Sequence, residues 1–126
     1  MNKPHVTVVI ETITTRFDSA NGTLVNDLDP TLNALNKQTY PQKLIEQIVV
    51  IDDEVSQRDV DELRERYPAV KLVRSQASNY FAAKNAGAEA ATGDVIALLD
   101  GDCEPAPDWL DTLLAPLASD VAAVAG

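Results

Sequence analysis

The chain carries one cysteine and one histidine, and its ten basic residues face twenty acidic ones. A lone Cys103 rules out an internal disulfide and leaves the redox compartment open, with a reducing cytoplasm the simplest setting. The shortage of lysine and arginine gives a formal net charge of −10, a surface that repels nucleic acid and anionic membranes alike. No run approaches the roughly 20 apolar residues of a membrane span. The opening "HVTVVIETI" is interrupted by Glu11 and reads as a strand, not as a signal peptide. Any anchor that associates a full-length protein with a membrane would lie outside this sequence. Neither G-x-G-x-x-G nor G-x-x-x-x-G-K-[ST] occurs, so a nucleotide here would be held by side chains, helix ends and metal.

What is present is a regular alternation of apolar runs and amphipathic segments. Val6–Ile10 is almost continuously apolar, as a strand covered on both faces should be. A polar loop with Gly22 leads to a helix for which Asp29 is the expected cap, Pro30 the first turn, and Leu32 and Leu35 the inner face. "IEQIVVI" predicts a second buried strand running into Asp52, Asp53 and Glu54. Ser56 then caps a helix with Val60, Leu63 and Tyr67 on one side, stopped by Pro68. "AVKLVRS" is a short third strand. A small-residue helix follows, with Ala82, Ala83, Ala86, Gly87 and Ala90 inward and Gly93 at its close. "DVIALLD" reads as a fourth buried strand, and Leu110, Leu113, Leu114 and Leu117 share the face of a last helix. "DVAAVAG" begins a fifth strand whose exposed edge would favour self-association. Strict strand–helix alternation predicts an α/β fold, Rossmann-like, with a mostly parallel sheet and helices on both faces.

In such sheets ligands lie beyond the carboxyl ends of the strands. Glu11, the pair Asp52 and Asp53, and the pair Asp100 and Asp102 each directly follow an apolar strand. In extended geometry Asp100 and Asp102 project to the same side, where they repel each other unless a cation intervenes. Oxygen-only ligands favour Mg²⁺ or Mn²⁺, ions that keep positions open for water and substrate phosphates. A plain turn-and-cap role would also explain a lone D-x-D, but not three acidic clusters on one rim. His5 sits at the amino end of its strand, on the opposite rim. Cys103 lacks a histidine partner nearby in sequence and reads as a packing residue, and Trp109 as a core or lid residue.

The order "VTVVIET", "TLNALNKQTYP", "IVVIDDE" and "AAKNAGAEAATGDVIALLDGDCEPAPDWL" resembles the nucleotide-binding half of a family 2 glycosyltransferase with the GT-A fold. Residues 79–110 carry the most specific part of the likeness. It implies a nucleoside diphosphate sugar donor, with Thr12 against the base and ribose and Asp53 on the base edge. Lys84 would approach the base or diphosphate, Asp100 the ribose or metal, and Asp102 the metal; Glu11 and Asp52 are further donor-side candidates. The resemblance also implies displacement with inversion and a catalytic base beyond residue 126. Residues 1–126 are then the amino-terminal nucleotide-sugar-binding part of the domain, with the acceptor half absent. On that reading they bind donor and metal but transfer no sugar. The acceptor could be a polysaccharide, a lipid carrier or a protein.

The sequence departs from the family where Glu11 replaces the usual proline, Glu54-Val55 the usual Gly-Ser, and Lys84 a more common arginine. Two alternatives stand beside this one. "IVVIDDE" and "VIALLDGD" also resemble the acidic pair and phosphoacceptor strand of a signalling receiver domain. A non-catalytic nucleotide-binding domain would keep the fold without chemistry.

Overall fold

Four apolar segments rich in β-branched residues become the four strands of one parallel sheet in the computed structural model, which describes residues 3–13, 23–76 and 79–116. In chain order the elements are β1 (Val6–Glu11), α1 (Leu24–Asn36), a 3₁₀ turn (Gln42–Leu44), β2 (Ile45–Ile51), α2 (Gln57–Arg66), β3 (Lys71–Arg74), α3 (Tyr80–Ala90), β4 (Val95–Asp100) and α4 (Trp109–Leu114). The strand order is β3-β2-β1-β4. β1 is central and buried along its whole length, which is why its sequence does not alternate.

The two faces of the sheet are built differently. On one, Val6, Val8 and Ile10 meet Leu28, Leu32 and Leu35 of α1, Val60 and Leu63 of α2, and Leu110 of α4. On the other, Val9, Ile48 and Val50 meet α3 through Ala83, Ala86 and Ala90. Trp109 packs partly buried against the first layer. Ala82 does not join the inner face of α3, which runs through Ala83, Ala86, Gly87 and Ala90 at helical spacing.

Three expectations need correction. First, α1 is capped by Thr23, whose side chain accepts from the Asn26 N–H at 3.2 Å, and Pro30 lies inside the helix instead of in its first turn. The earlier start buries Leu24, Val25 and Leu28. Each such side chain contributes about 1.5–3 kcal/mol, which together outweighs the roughly 3 kcal/mol cost of an internal proline. Asp29, released from capping, ties α1 to α2: it accepts from Tyr67 Oη at 2.5 Å and Arg66 Nη1 at 2.7 Å. Burial, and then that hydrogen bond to Asp29, pushes the Tyr67 phenol up to about 12.

Second, β4 is not covered on both faces by the described residues. Ala97 and Leu99 are buried, but Ile96 and Leu98 are 43% and 49% exposed. Third, β4 ends at Asp100, so extended geometry does not extend to Asp102. The fifth strand, Leu117 and the Gly22 loop lie outside the described residues.

The contact between α3 and the sheet is close enough to test. A Cβ at Gly87 would sit 2.2 Å from Val9 Cγ1 and 3.0 Å from Val50 Cγ2. Valine is stiff at χ1, so neither neighbour can swing away cheaply. Gly87→Ala should therefore destabilise by about 1–3 kcal/mol through overpacking, despite a helix-propensity gain of about 1 kcal/mol. Urea unfolding checks this; a raised midpoint would show that α3 can stand farther from β1.

Candidate functional site

The chain runs outward from β1 to β2 and β3, then crosses back to place β4 on the opposite side of β1. The winding reverses between β1 and β4, and in such sheets ligands bind beyond the carboxyl ends of the strands at that switch point. The register sets Glu11 beside Asp100 there.

A single turn carries the acidic pair. The Cys103 N–H donates to the Asp100 carbonyl at 3.1 Å, closing residues 100–103 into a turn. The Gly101 peptide at its centre is held on both sides. Its N–H donates to Glu11 Oε1 at 3.3 Å, and its carbonyl accepts from Thr31 Oγ1 at 3.0 Å. Thr31 is buried on α1, and its hydroxyl also reaches the Cys103 carbonyl. Glu11 is fully buried and accepts from the Ile13 N–H at 2.7 Å. Farther along, Gln38 donates to the Ala106 carbonyl at 2.6 Å and accepts from the Leu110 N–H at 3.0 Å. The loop between β4 and α4 is thus fastened at one end to α1 and at the other to the segment just after it.

This turn brings one carboxylate oxygen of Asp100, one of Asp102 and the Cys103 sulfur within 4.8 Å of one another. Asp102 and Cys103 are exposed, which corrects the expectation that Cys103 is a packing residue. Its thiol lies 3.7 Å from Asp102 Oδ1. Desolvation, then the charges of Asp102 and Asp100, push its pKa up, so at neutral pH it is a thiol and not a thiolate. The oxygen atoms are the ligands on offer.

Helix α3 supplies the counter-charge. Lys84 Nζ lies 3.2 Å from Asp100 Oδ1 and 4.0 Å from the centre of the Tyr80 ring. Desolvation pulls its pKa down, but Tyr80 and Asp100 outweigh that and hold it above the ordinary value. Lys84 is therefore charged at neutral pH. Two carboxylates against one ammonium still leave the turn negative, the condition for attracting a cation.

The β2 side of the rim is separate. Thr12, Ile13, Asp52, Ser75 and Ala83 line a shallow cleft over the ends of β1 and β2. Thr12 Oγ1 donates to the Val50 carbonyl at 2.9 Å, and Asp52 Oδ1 accepts from the Glu54 N–H at 3.0 Å. Asp53 is exposed, with Arg74 Nη1 3.8 Å away; Arg74 also donates to the Asp52 carbonyl at 2.9 Å. Asp100, Asp102 and Lys84 thus meet, while Asp53 stands apart beside Arg74. Sequence reasoning missed Thr31, Arg74 and Tyr80. Only Tyr80 left a signal, its position one helical turn before Lys84.

The receiver alternative fails on topology. It needs the strand ending in Asp52 and Asp53 beside the strand ending in Asp100, but β1 separates β2 from β4. That spacing is about 9–10 Å, twice the distance between neighbouring strands.

The chain matches glycosyl transferase family 2 over residues 21–126. It is 38% identical over 87 residues to polypeptide N-acetylgalactosaminyltransferase 15 of Mus musculus, covering 65% of this chain and 14% of that protein. Glycosyltransferase AglE of Haloferax volcanii is 35% identical over 85 residues, 64% of this chain and 27% of its own length. Among solved structures, the mannosyltransferase PcManGT of Pyrobaculum calidifontis, in complex with GDP-Man and Mn²⁺, superimposes with a TM-score of 0.72 at 25% identity. That likeness spans 95% of this chain and 34% of the mannosyltransferase. The chain therefore spans only a minor part of each protein it resembles.

The grip on Gly101 makes a direct prediction. Thr31→Val keeps the volume but removes the donor shared by the Gly101 and Cys103 carbonyls. A loss of about 1–3 kcal/mol in unfolding free energy is expected, the cost of stranding buried acceptors. An unchanged denaturation midpoint would show that the turn holds without α1.

Proposed function

Because this chain belongs to glycosyl transferase family 2, we propose that its carboxyl rim binds a nucleoside diphosphate sugar through a divalent cation. The observation that carries this reading is the convergence of Asp100 and Asp102 on one fastened turn, at the carboxyl rim where β4 crosses back beside β1. Carboxylate oxygens open to solvent suit a hard ion that retains sites for water and phosphate, so Mg²⁺ and Mn²⁺ fit the donor set. The Mn²⁺ and GDP-Man bound to PcManGT support the same choice.

Asp102 would hold the ion, with Asp100 beside it or on the ribose; bound there, the ion would offset charge on the leaving diphosphate. Lys84, charged and adjacent, adds a second positive group for the diphosphate. The cleft of Thr12 and Asp52 suits the base and ribose, and Asp53 the base edge. Glu11 belongs to the support of the turn, since its oxygens accept from the Gly101 and Ile13 N–H groups. Direct displacement of the diphosphate by an acceptor hydroxyl would invert the anomeric centre. Following the resemblance to family 2 glycosyltransferases, we assign the base and the acceptor contacts to residues beyond 126.

Two measurements test the proposal. In calorimetric titrations with a panel of nucleoside diphosphates, binding should require Mn²⁺ or Mg²⁺, and Asp102→Asn should weaken it by about tenfold or more. Equal binding with a chelator present would remove the metal from the reading. The panel would also identify the base.

Sugar transfer is expected from the full-length protein and not from residues 1–126. Losing both acceptor positioning and the general base costs several orders of magnitude in rate. Transfer by residues 1–126 alone would place the base within this chain.

A further inference from the structure

Two side chains of α3 reach Asp100, and both use the same oxygen. Tyr80 Oη donates to Asp100 Oδ1 at 2.6 Å, and Lys84 Nζ lies 3.2 Å from that oxygen. Lys84 also donates to Tyr80 Oη at 2.5 Å, so the three groups close a ring. The bonding is balanced: the phenol gives its single proton to Asp100 and receives the ammonium on a lone pair. The Tyr80 ring meets the exposed Phe81 edge-on at 5.4 Å and 87°.

We infer that Tyr80 is a positioning residue for the cation site, its hydroxyl fixing the Asp100 carboxylate through Oδ1 and keeping Lys84 from enclosing it. The inference rests on the reading of Asp100 and Asp102 as the metal-binding pair.

Lysine is a compact charge on a flexible stem, with three donors free to rotate. Beside an unaccompanied carboxylate it would settle across both oxygens and compete with a divalent ion for them. The Tyr80 hydroxyl prevents this in two ways. It occupies Oδ1 with a directional bond, and it draws one ammonium proton to itself while the ring face attracts the same charge. Oδ2 is then left for the ion. Tyr80 does not touch metal or sugar in this scheme; it acts through Asp100.

The test compares the 126-residue chain with its Tyr80→Phe and Asp102→Asn variants. Mn²⁺ is titrated at fixed GDP, and separately at fixed UDP, with free Mn²⁺ read by electron paramagnetic resonance. Phenylalanine keeps the ring and its contact with Phe81, so only the hydroxyl is removed. Tyr80→Phe should raise the Mn²⁺ concentration at half-saturation about fivefold, the scale of one hydrogen bond. Its thermal midpoint should stay at that of the parent chain. An unchanged or lower Mn²⁺ requirement, with Asp102→Asn binding about tenfold or more weaker, would overturn the role of Tyr80 and leave the metal reading intact. A lowered thermal midpoint without a Mn²⁺ shift would assign the hydroxyl to stability alone and also overturn it. If the parent chain retains no Mn²⁺, or Asp102→Asn retains as much as the parent, the metal reading falls and the inference falls with it.

Discussion

The grip on the Gly101 peptide is the constraint on which the site depends. Two aspartates on one tight turn repel each other, and a free loop would relax by spreading them. Here the N–H is held by Glu11 and the carbonyl by Thr31, so the turn cannot open without stranding buried polar groups. Both anchors are themselves fixed by packing. Glu11 ends the central strand, and Thr31 lies on α1 among the leucines that cover the sheet. The core therefore fixes the anchors that set the spacing of the acidic pair. Glu11 suits this place because its two oxygens serve two N–H groups, those of Gly101 and Ile13.

The unequal faces of the sheet serve the same end. Leucine-rich α1 supplies burial, and most of the stabilisation comes from that layer. Alanine-lined α3 buries less but lies nearer, with Gly87 almost touching Val9. That approach lets Lys84 and Tyr80 reach over the rim to Asp100. A bulkier inner face would stabilise the helix and lift both side chains away from the carboxylate. Small residues on this helix favour proximity over burial.

Much of this was legible in the sequence. Four strands, the small-residue helix and the acidic rim follow from periodicity, because burial on both faces demands unbroken apolar runs and parallel winding puts strand ends together. Asp100 and Asp102 could be named in advance as carboxylates at a strand end, and Lys84 through the resemblance to family 2 glycosyltransferases. Asp29 was misread because a local signal, Asp-Pro before an apolar stretch, outweighed a better cap at Thr23. What overruled it was the burial of Leu24, Val25 and Leu28, which becomes visible only against β1.

The sequence by itself determined the elements, their order and the rim on which charge collects, since these depend on side-chain pattern within single segments. Tertiary structure decided the partnerships. Thr31 lies 70 residues from Gly101, Glu11 90 residues from it, and Tyr80 20 residues from Asp100. Nothing in a local window distinguishes such a threonine from one that faces water, and Tyr80 shows only its place one helical turn before Lys84. Their roles arise because β4 crosses back beside β1, bringing together the ends of segments that share no local pattern.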